Sequence, residues 1–548
     1  MRIKYFFLLP FTLFFYNCVN AQINKELNNG LARPKLVVGL VVDQMRWDYL
    51  YRYYNRYSEG GFKRLLKSGF SFENAIIPYT PTVTAAGHAC IYTGSVPAIN
   101  GIVGNSWIER LTGKSMYCTA DNTVQSVGTK SDDGEMSPKN MFANTIGDEL
   151  RFASNFKSRV FGIGLKDRGA ILPAGHSANA AYWFDDATGN WITSTYYMNT
   201  LPTWVDEFNG QKMPDAYIKT GWNLLYNINK YDQSIPDDNR FEKNIPGEKT
   251  VTFPHNFSSN EGKDFISVRF SPFGNSFTLD FAKQMIVKEK LGATGQTDML
   301  CISLSSTDYI GHIFGPQSIE MEDTYLRLDK ELESFFANLD KTFTNKNYIV
   351  FLTADHGAAY TPDYMKAMKQ SAGTLMEANV KKTLNTALEE KFNAKNIIAS
   401  ALEYQLFLDN KLIDSLKLNR NEIEADIIKK LLAMPEVSNA FSLNNPAQIL
   451  LPEFLKQRFV NGFFYNRCSD VQYILKPQYT DGTGKGTDHG SWNPYDAHIP
   501  LLFFGNGIKQ GKTNREVCMT DIAPTIAAML KIQMPSGSVG KVLEEVVK

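Results

Sequence analysis

Five apolar runs of strand length punctuate the chain, at residues 36–42, 160–165, 299–304, 348–354 and 501–504, and each gives way to polar residues. Runs without polar alternation belong to strands covered on both faces. Between them, at 61–67, 141–152, 277–290, 320–339 and 521–530, apolar positions recur at helical spacing. Strand and helix alternate, which predicts an α/β fold with a largely parallel central sheet sandwiched by helices. Two stretches break the rhythm. Residues of about 171–275 are rich in Tyr, Trp, Asn, Pro and Gly, and about 358–480 carries strand and helix patterns of its own. Both are expected as insertions that cap the catalytic end of the sheet.

One segment does not fit the apolar stripe of an ordinary core helix. "TPTVTAAGHACIYTG", residues 80–94, offers mainly Ala, Gly and Thr in its first turns. Thr82 or Thr84 is expected to cap a helix starting near Ala85, which sets a hydroxyl beside free N–H groups and the positive end of the helix dipole. Such a position suits a nucleophile or an anion, but it equally suits a plain cap on a close-packed helix.

The bulk properties narrow the field. At 548 residues, with 57 basic against 57 acidic side chains, the chain is large and formally neutral. No basic stripe or acidic tail announces a nucleic acid or a charged membrane surface. The opening "MRIKYFFLLPFTLFFYNCVNAQ" reads as a cleavable secretory signal over residues 1–21, with 22–548 as the exported protein, bound for a bacterial periplasm or the medium. No later apolar run is long enough to span a membrane. Of six cysteines one leaves with the signal, and the scattered Cys90, Cys118, Cys301, Cys468 and Cys518 describe neither a disulfide framework nor a thiolate metal site.

Chemistry gathers where strands end. The first run stops at Asp43, and ligands of open α/β sheets bind just outside the carboxyl ends of strands. The 299–304 run leads to Asp308, with His312 four residues on, a spacing that aims both side chains the same way on a helix. The 348–354 run meets Asp355-His356-Gly357, and a glycine-rich loop carries His489. Three of only seven histidines thus fall beside aspartates at one predicted edge. Imidazole and carboxylate without thiolate favour zinc.

Asp43, "TVTAAGH", Asp308-x-x-x-His312, Asp355-His356-Gly357 and "DHG" at 488–490, in this order, resemble the alkaline phosphatase superfamily. "GIGLKDRGA", with Lys166 and Arg168, and Asn105 after the threonine are similar to the monomeric, phosphate-irrepressible secreted bacterial alkaline phosphatases. The likeness runs from about residue 35 to the end. It implies a monomeric phosphomonoesterase with two Zn²⁺ per chain, one held by Asp308, His312 and His489 and the other by Asp43, Asp355 and His356. It makes Thr84 the nucleophile and a ligand of the second ion, with a phosphothreonine intermediate, and assigns Asn105, Lys166 and Arg168 to the substrate phosphoryl group. His88 is expected to support this shell.

Within that superfamily, the C/S-x-P-x-R motif of sulfatases is missing around Thr84. A nucleotide phosphodiesterase or pyrophosphatase is the nearest alternative, and an inactive binding protein is a further one. Two Zn²⁺ against three carboxylates leave about +1, and Lys166 with Arg168 raises the site to about +3, which suits a phosphate monoester dianion. The G-x-G at Gly162 and Gly164 is no dinucleotide motif, since Asp167 stands where the third glycine would be.

Overall fold

A computed structural model describes residues 33–343, 347–445 and 448–547; the segment 1–21, expected as a secretory signal, lies outside the described residues. Its spine is an 11-stranded mixed sheet. Strand Leu36–Val42 lies at the centre, parallel to Tyr348–Thr353 on one side and to Asp298–Leu304 on the other. Val160–Gly164 and Ala180–Asp185 continue the parallel part. Antiparallel strands finish both flanks, Leu501–Gly505 against Tyr348–Thr353 and Asn190–Ser194 against Ala180–Asp185.

Register explains where the site forms. Val41 pairs with Thr353, Val42 with Leu304, and Gly164 with Ser303. Four strands therefore end level, and the residues that follow them, Asp43, Asp355, Lys166 and the helix Ser306–Phe314, open at one edge.

The central strands are buried along their whole length, as expected for a sheet covered by helices on both faces. Gly39 serves a particular contact: a Cβ there would lie 2.3 Å from the Tyr92 hydroxyl and 2.5 Å from the Phe351 ring. Its absence lets Tyr92, near the end of helix Thr84–Thr93, press onto the central strand, which seats the helix that begins at Thr84. Filling that space costs roughly 1–3 kcal/mol.

The helix predicted over 141–152 begins only at Ile146. Thr145 accepts from the Asp148 N–H and Asp148 accepts from the Thr145 N–H, a reciprocal cap that starts the helix there. The stretch of about 171–275 does more than cap, since Ala180–Asp185 and Asn190–Ser194 belong to the main sheet. Within about 358–480 a separate four-stranded sheet, Ile398–Leu402, Gln405–Leu408, Val471–Leu475 and Val437–Ser442, packs on helices Glu377–Phe392 and Arg420–Leu432 around its own apolar core. All five described cysteines are free thiols.

Candidate active site

Thr84 opens the helix Thr84–Thr93. Neither threonine caps it, contrary to expectation: Val83 is the N-cap residue, and Thr82 donates its hydroxyl to the Ser491 carbonyl. The free N–H of Ala85 is met instead by the side-chain oxygen of Asn105, at 3.0 Å. Thr84 Oγ1 is thus released from capping. All ten residues of this helix are buried, so the small side chains make room for protein. A Cβ on Gly87 would meet Asp355 at 2.6 Å, and Gly169 lies against Ser303 and His88.

Around Thr84 three histidines share one arrangement. His312 donates Nδ1–H to the Thr487 carbonyl, His356 to that of Gly357 and His489 to that of Thr82, at 3.0, 3.0 and 2.8 Å. Each Nε2 is thereby turned toward a carboxylate. His312 Nε2 lies 3.2 Å and His489 Nε2 3.6 Å from Asp308 Oδ1. His356 Nε2 lies 3.6 Å from Asp43 Oδ1 and 3.5 Å from Asp355 Oδ2. The rings of His356 and His489 stack with centroids 3.6 Å apart. Backbone-anchored imidazoles that offer the other nitrogen are the outer support typical of metal ligands.

Two groups of ligand atoms lie within 4.8 Å of one another, Asp308 with His312 and His489, and Asp43 with Asp308 and His356. Asp308 joins both. Asp43 Oδ1, Asp355 Oδ2 and His356 Nε2 are buried without any hydrogen-bond partner. Unsatisfied groups of this kind are costly unless a ligand meets them, and a cation fits all three.

Electrostatics supports the fit. Burial, aided by His356, holds the His489 imidazole well below its ordinary value, and burial also lowers His356, so both keep a lone pair at neutral pH. Burial and the nearby Asp355 push the Asp43 carboxyl well up. Burial would raise Asp308 too, but Lys166 and His312 hold it well below the carboxylate range.

Lys166 is the N-cap residue of helix Asp167–Ala174, and Arg168 is the second residue of that helix. The strand ends at Gly164, so strand alternation does not point the two side chains to one face. The Lys166 ammonium donates to Asp43 Oδ2 and Asp308 Oδ2, both at 2.6 Å, and lies 3.3 Å from Thr84 Oγ1. Burial works against its charge, but Asp308 and Asp43 raise it above the usual lysine value. Arg168 donates to the Tyr117 hydroxyl at 3.0 Å, while its Nε is buried without a partner.

Two further side chains carry no sequence signal. Gln44 has φ +62°, and there its side chain donates to Asp308 Oδ1 at 2.6 Å while its N–H donates to Asp355 Oδ1. Glu403 sits with Tyr404 in a hairpin tip where both have positive φ, an uncommon state for such residues. Its carboxylate accepts from the Asn105 N–H at 3.2 Å. Burial and the neighbouring Glu377 push Glu403 up to about 8. His88 bonds Ser303 and the Thr84 carbonyl and lies 3.4 Å from Asp355, outside both ligand groups.

The family model described as type I phosphodiesterase / nucleotide pyrophosphatase matches residues 37–496. "Alkaline phosphatase PhoV" of Synechococcus elongatus is 50% identical over 518 residues, 94% of each chain. "Alkaline phosphatase PafA" of Elizabethkingia meningoseptica is 49% identical over 96% of this chain and 97% of its own. Its crystal structure superposes with a TM-score of 0.92 over 95% of this chain and 100% of that one. A Myroides odoratus protein called "Calcium-transporting ATPase" is 51% identical over 94% of this chain and 95% of its own.

Proposed function

The chain belongs to the type I phosphodiesterase / nucleotide pyrophosphatase family and is an alkaline phosphatase, and from that premise we propose that it hydrolyses phosphate monoesters through a phosphorylated Thr84. One observation carries the reading. Three histidines tie Nδ1 to backbone carbonyls and turn Nε2 to Asp43, Asp308 and Asp355, around a threonine hydroxyl at the start of a helix.

Asp308, His312 and His489 would hold one Zn²⁺, and Asp43, Asp355 and His356, with Thr84 Oγ1, the other. Zinc suits imidazole and carboxylate donors, and bound there it supplies Lewis acidity toward the attacking and leaving oxygens. The Thr84 oxygen attacks phosphorus as the bond to the leaving alcohol breaks. Water then attacks the phosphothreonine, the bond from phosphorus to Thr84 Oγ1 breaks, phosphate leaves, and Thr84 takes a proton from that water, its own having left with the alcohol. The helix N-terminus favours negative charge at that oxygen. An ammonium has three donors, and two of those on Lys166 serve Asp43 and Asp308. The third, 3.3 Å from Thr84 Oγ1, is in reach of a phosphoryl group there. Arg168 and Asn105 complete the grip, and Asn105 keeps its amide for the purpose by using only its oxygen on Ala85.

The family model's description favours a second reading, phosphodiester or pyrophosphate cleavage. Comparing a monoester and a diester on zinc-loaded protein decides between them: the monoester is expected to show the higher kcat/KM, and the reverse order would establish the diesterase. No helix among the described residues is long and apolar enough to cross a membrane. We propose an exported, monomeric enzyme whose 358–480 unit bounds the substrate entrance.

A further inference from the structure

Two of the side chains assigned to the phosphoryl group, Asn105 and Arg168, meet at one short hairpin. Strands Ser106–Ile108 and Ser115–Tyr117 pair antiparallel, with Ser106 opposite Tyr117, and the Cys118 N–H donates to the Asn105 carbonyl at 3.0 Å. Asn105 and Tyr117 therefore stand side by side at the base of the hairpin.

Both phosphoryl-binding groups are held from this base. The Tyr117 hydroxyl accepts from Arg168 Nη1 at 3.0 Å and donates to Asp167 Oδ1 at 2.8 Å, and Thr119 donates to Asp167 Oδ2. A guanidinium is planar, so fixing one Nη sets the direction of its other donors, the unpartnered Nε of Arg168 among them. At Asn105 the N–H donates to Glu403 at 3.2 Å, and the side-chain oxygen accepts from Ala85 at 3.0 Å. That leaves its amide nitrogen for substrate.

We infer that Tyr117 and Glu403 are positioning residues for phosphoryl binding, Tyr117 acting through Arg168 and Glu403 through Asn105. The inference rests on the proposed role of those two side chains. A Cβ on Gly104 would lie 2.3 Å from Glu403 Oε2, so glycine there is what admits the carboxyl. Glu403 itself has a positive φ, a backbone state that persists only where the surroundings enforce it. Burial and the neighbouring Glu377 push its carboxyl up to about 8, and the uncharged group keeps an acceptor oxygen for Asn105. It thus holds the amide without setting a negative charge beside a phosphate dianion. The far end of the hairpin is fixed as well: Arg110 donates to the carbonyls of Tyr465, Cys468 and Ser469 and to the Asp470 carboxylate. These anchors and Glu403 all belong to the 358–480 unit, which reaches the phosphoryl site through the hairpin. A shift of about 1 Å in a substrate-positioning group can cost on the order of 10² in rate.

The test measures kcat and KM for an aryl phosphate monoester, and the inhibition constant of inorganic phosphate, on zinc-loaded full-length protein. Tyr117→Phe and Glu403→Ala are made alone and combined with Arg168→Ala or Asn105→Ala. Tyr117→Phe is expected to lower kcat/KM about tenfold and to weaken phosphate binding, but to cost less than about twofold once Arg168 is replaced, while its effect persists beside Asn105→Ala. Glu403→Ala should show the mirror pattern, losing its effect only beside Asn105→Ala. Glu403→Gln, which keeps an acceptor oxygen, should recover most of that loss. If Glu403→Ala fails to fold, Gly104→Ala, which crowds the same carboxyl, takes its place. Losses that simply multiply in every background would mark a structural role and overturn this inference while leaving the roles of Asn105 and Arg168 standing. No loss in Asn105→Ala and Arg168→Ala themselves would remove those roles and the inference with them.

Discussion

Replacing both Lys166 and Arg168 by alanine separates the monoester reading from its nearest rival. In the structure Lys166 serves Asp43 and Asp308 with two donors and gives its third to the Thr84 hydroxyl, where the phosphoryl group would be bound, and the Arg168 Nε has no protein partner. Each side chain thus has capacity for about one charge-assisted hydrogen bond to a phosphoryl oxygen, worth roughly 1.5–3 kcal/mol. If the two terms added, the loss would be about 3–6 kcal/mol, or on the order of 10² to 10⁴ in kcat/KM. Neighbours that share one ligand rarely add fully, so the lower half of that range, about 10² to 10³, is the expected value for a monoester. A diester carries one negative charge and presents a substituent where one cation would bind, so its rate should fall much less. Lys166 also balances Asp43 and Asp308, and metal content must be measured alongside to show that the ions are still bound. The assay is kcat/KM for an aryl phosphate monoester and the matching diester on the same zinc-loaded preparations. An equal fall on both substrates with full metal content would refute selection of the dianion by these side chains.

Thr84→Ala removes only a small buried hydroxyl and is expected to fold normally, while steady-state hydrolysis drops by at least about 10³-fold; near-normal turnover would move the nucleophile elsewhere, with Thr82 the first suspect. Gly87→Ala would drive a Cβ to 2.6 Å from Asp355, and the expected overpacking cost of roughly 1–3 kcal/mol should appear as weaker metal retention and a lower Tm. Burial pushes the Glu403 carboxyl up to about 8 in the folded chain against 4.5 as a free side chain, so unfolding releases a proton between those values and stability falls as pH rises through that window. Glu403→Gln keeps an acceptor for Asn105 and should raise the unfolding free energy at pH 9 by on the order of 1 kcal/mol after solvent screening, with no gain at pH 4; equal effects at both would contradict the burial of that charge. Stripping metal with a chelator should abolish activity, with Zn²⁺ restoring it better than Mg²⁺, and full activity of metal-free protein would remove the zinc assignment.

Much of the site was legible because its residue types are scarce and fall at strand ends. Asp43 and Asp355 follow apolar runs that become level parallel strands, so their meeting was implied once the sheet was inferred. Asp308 and His312 needed only helical spacing, and the structure brings Nε2 to 3.2 Å of the carboxylate. What escaped depended on backbone states and distant contacts. Gln44 reaches two site aspartates only because it takes a left-handed conformation that its identity does not announce. Glu403 arrives on a hairpin tip from about 300 positions along the chain. Asn105 replaced the threonine caps because a side chain from another loop could satisfy Ala85, a competition that local propensity cannot rank. The directions of Lys166 and Arg168 were not legible, because the apolar run continues to Leu165 whereas the strand stops at Gly164, two residues before Lys166, and helix geometry takes over.

The claim on which the account rests is that phosphate passes through the Thr84 oxygen. The stereochemical course at phosphorus tests it most directly, with a phosphate monoester made chiral by oxygen isotopes and an alcohol acceptor that competes with water. Each in-line displacement inverts phosphorus. Two displacements, onto Thr84 and off again, therefore leave the transferred phosphoryl group with retained configuration, which is the result the account expects. Inversion would mean a single direct transfer and would contradict a phosphothreonine.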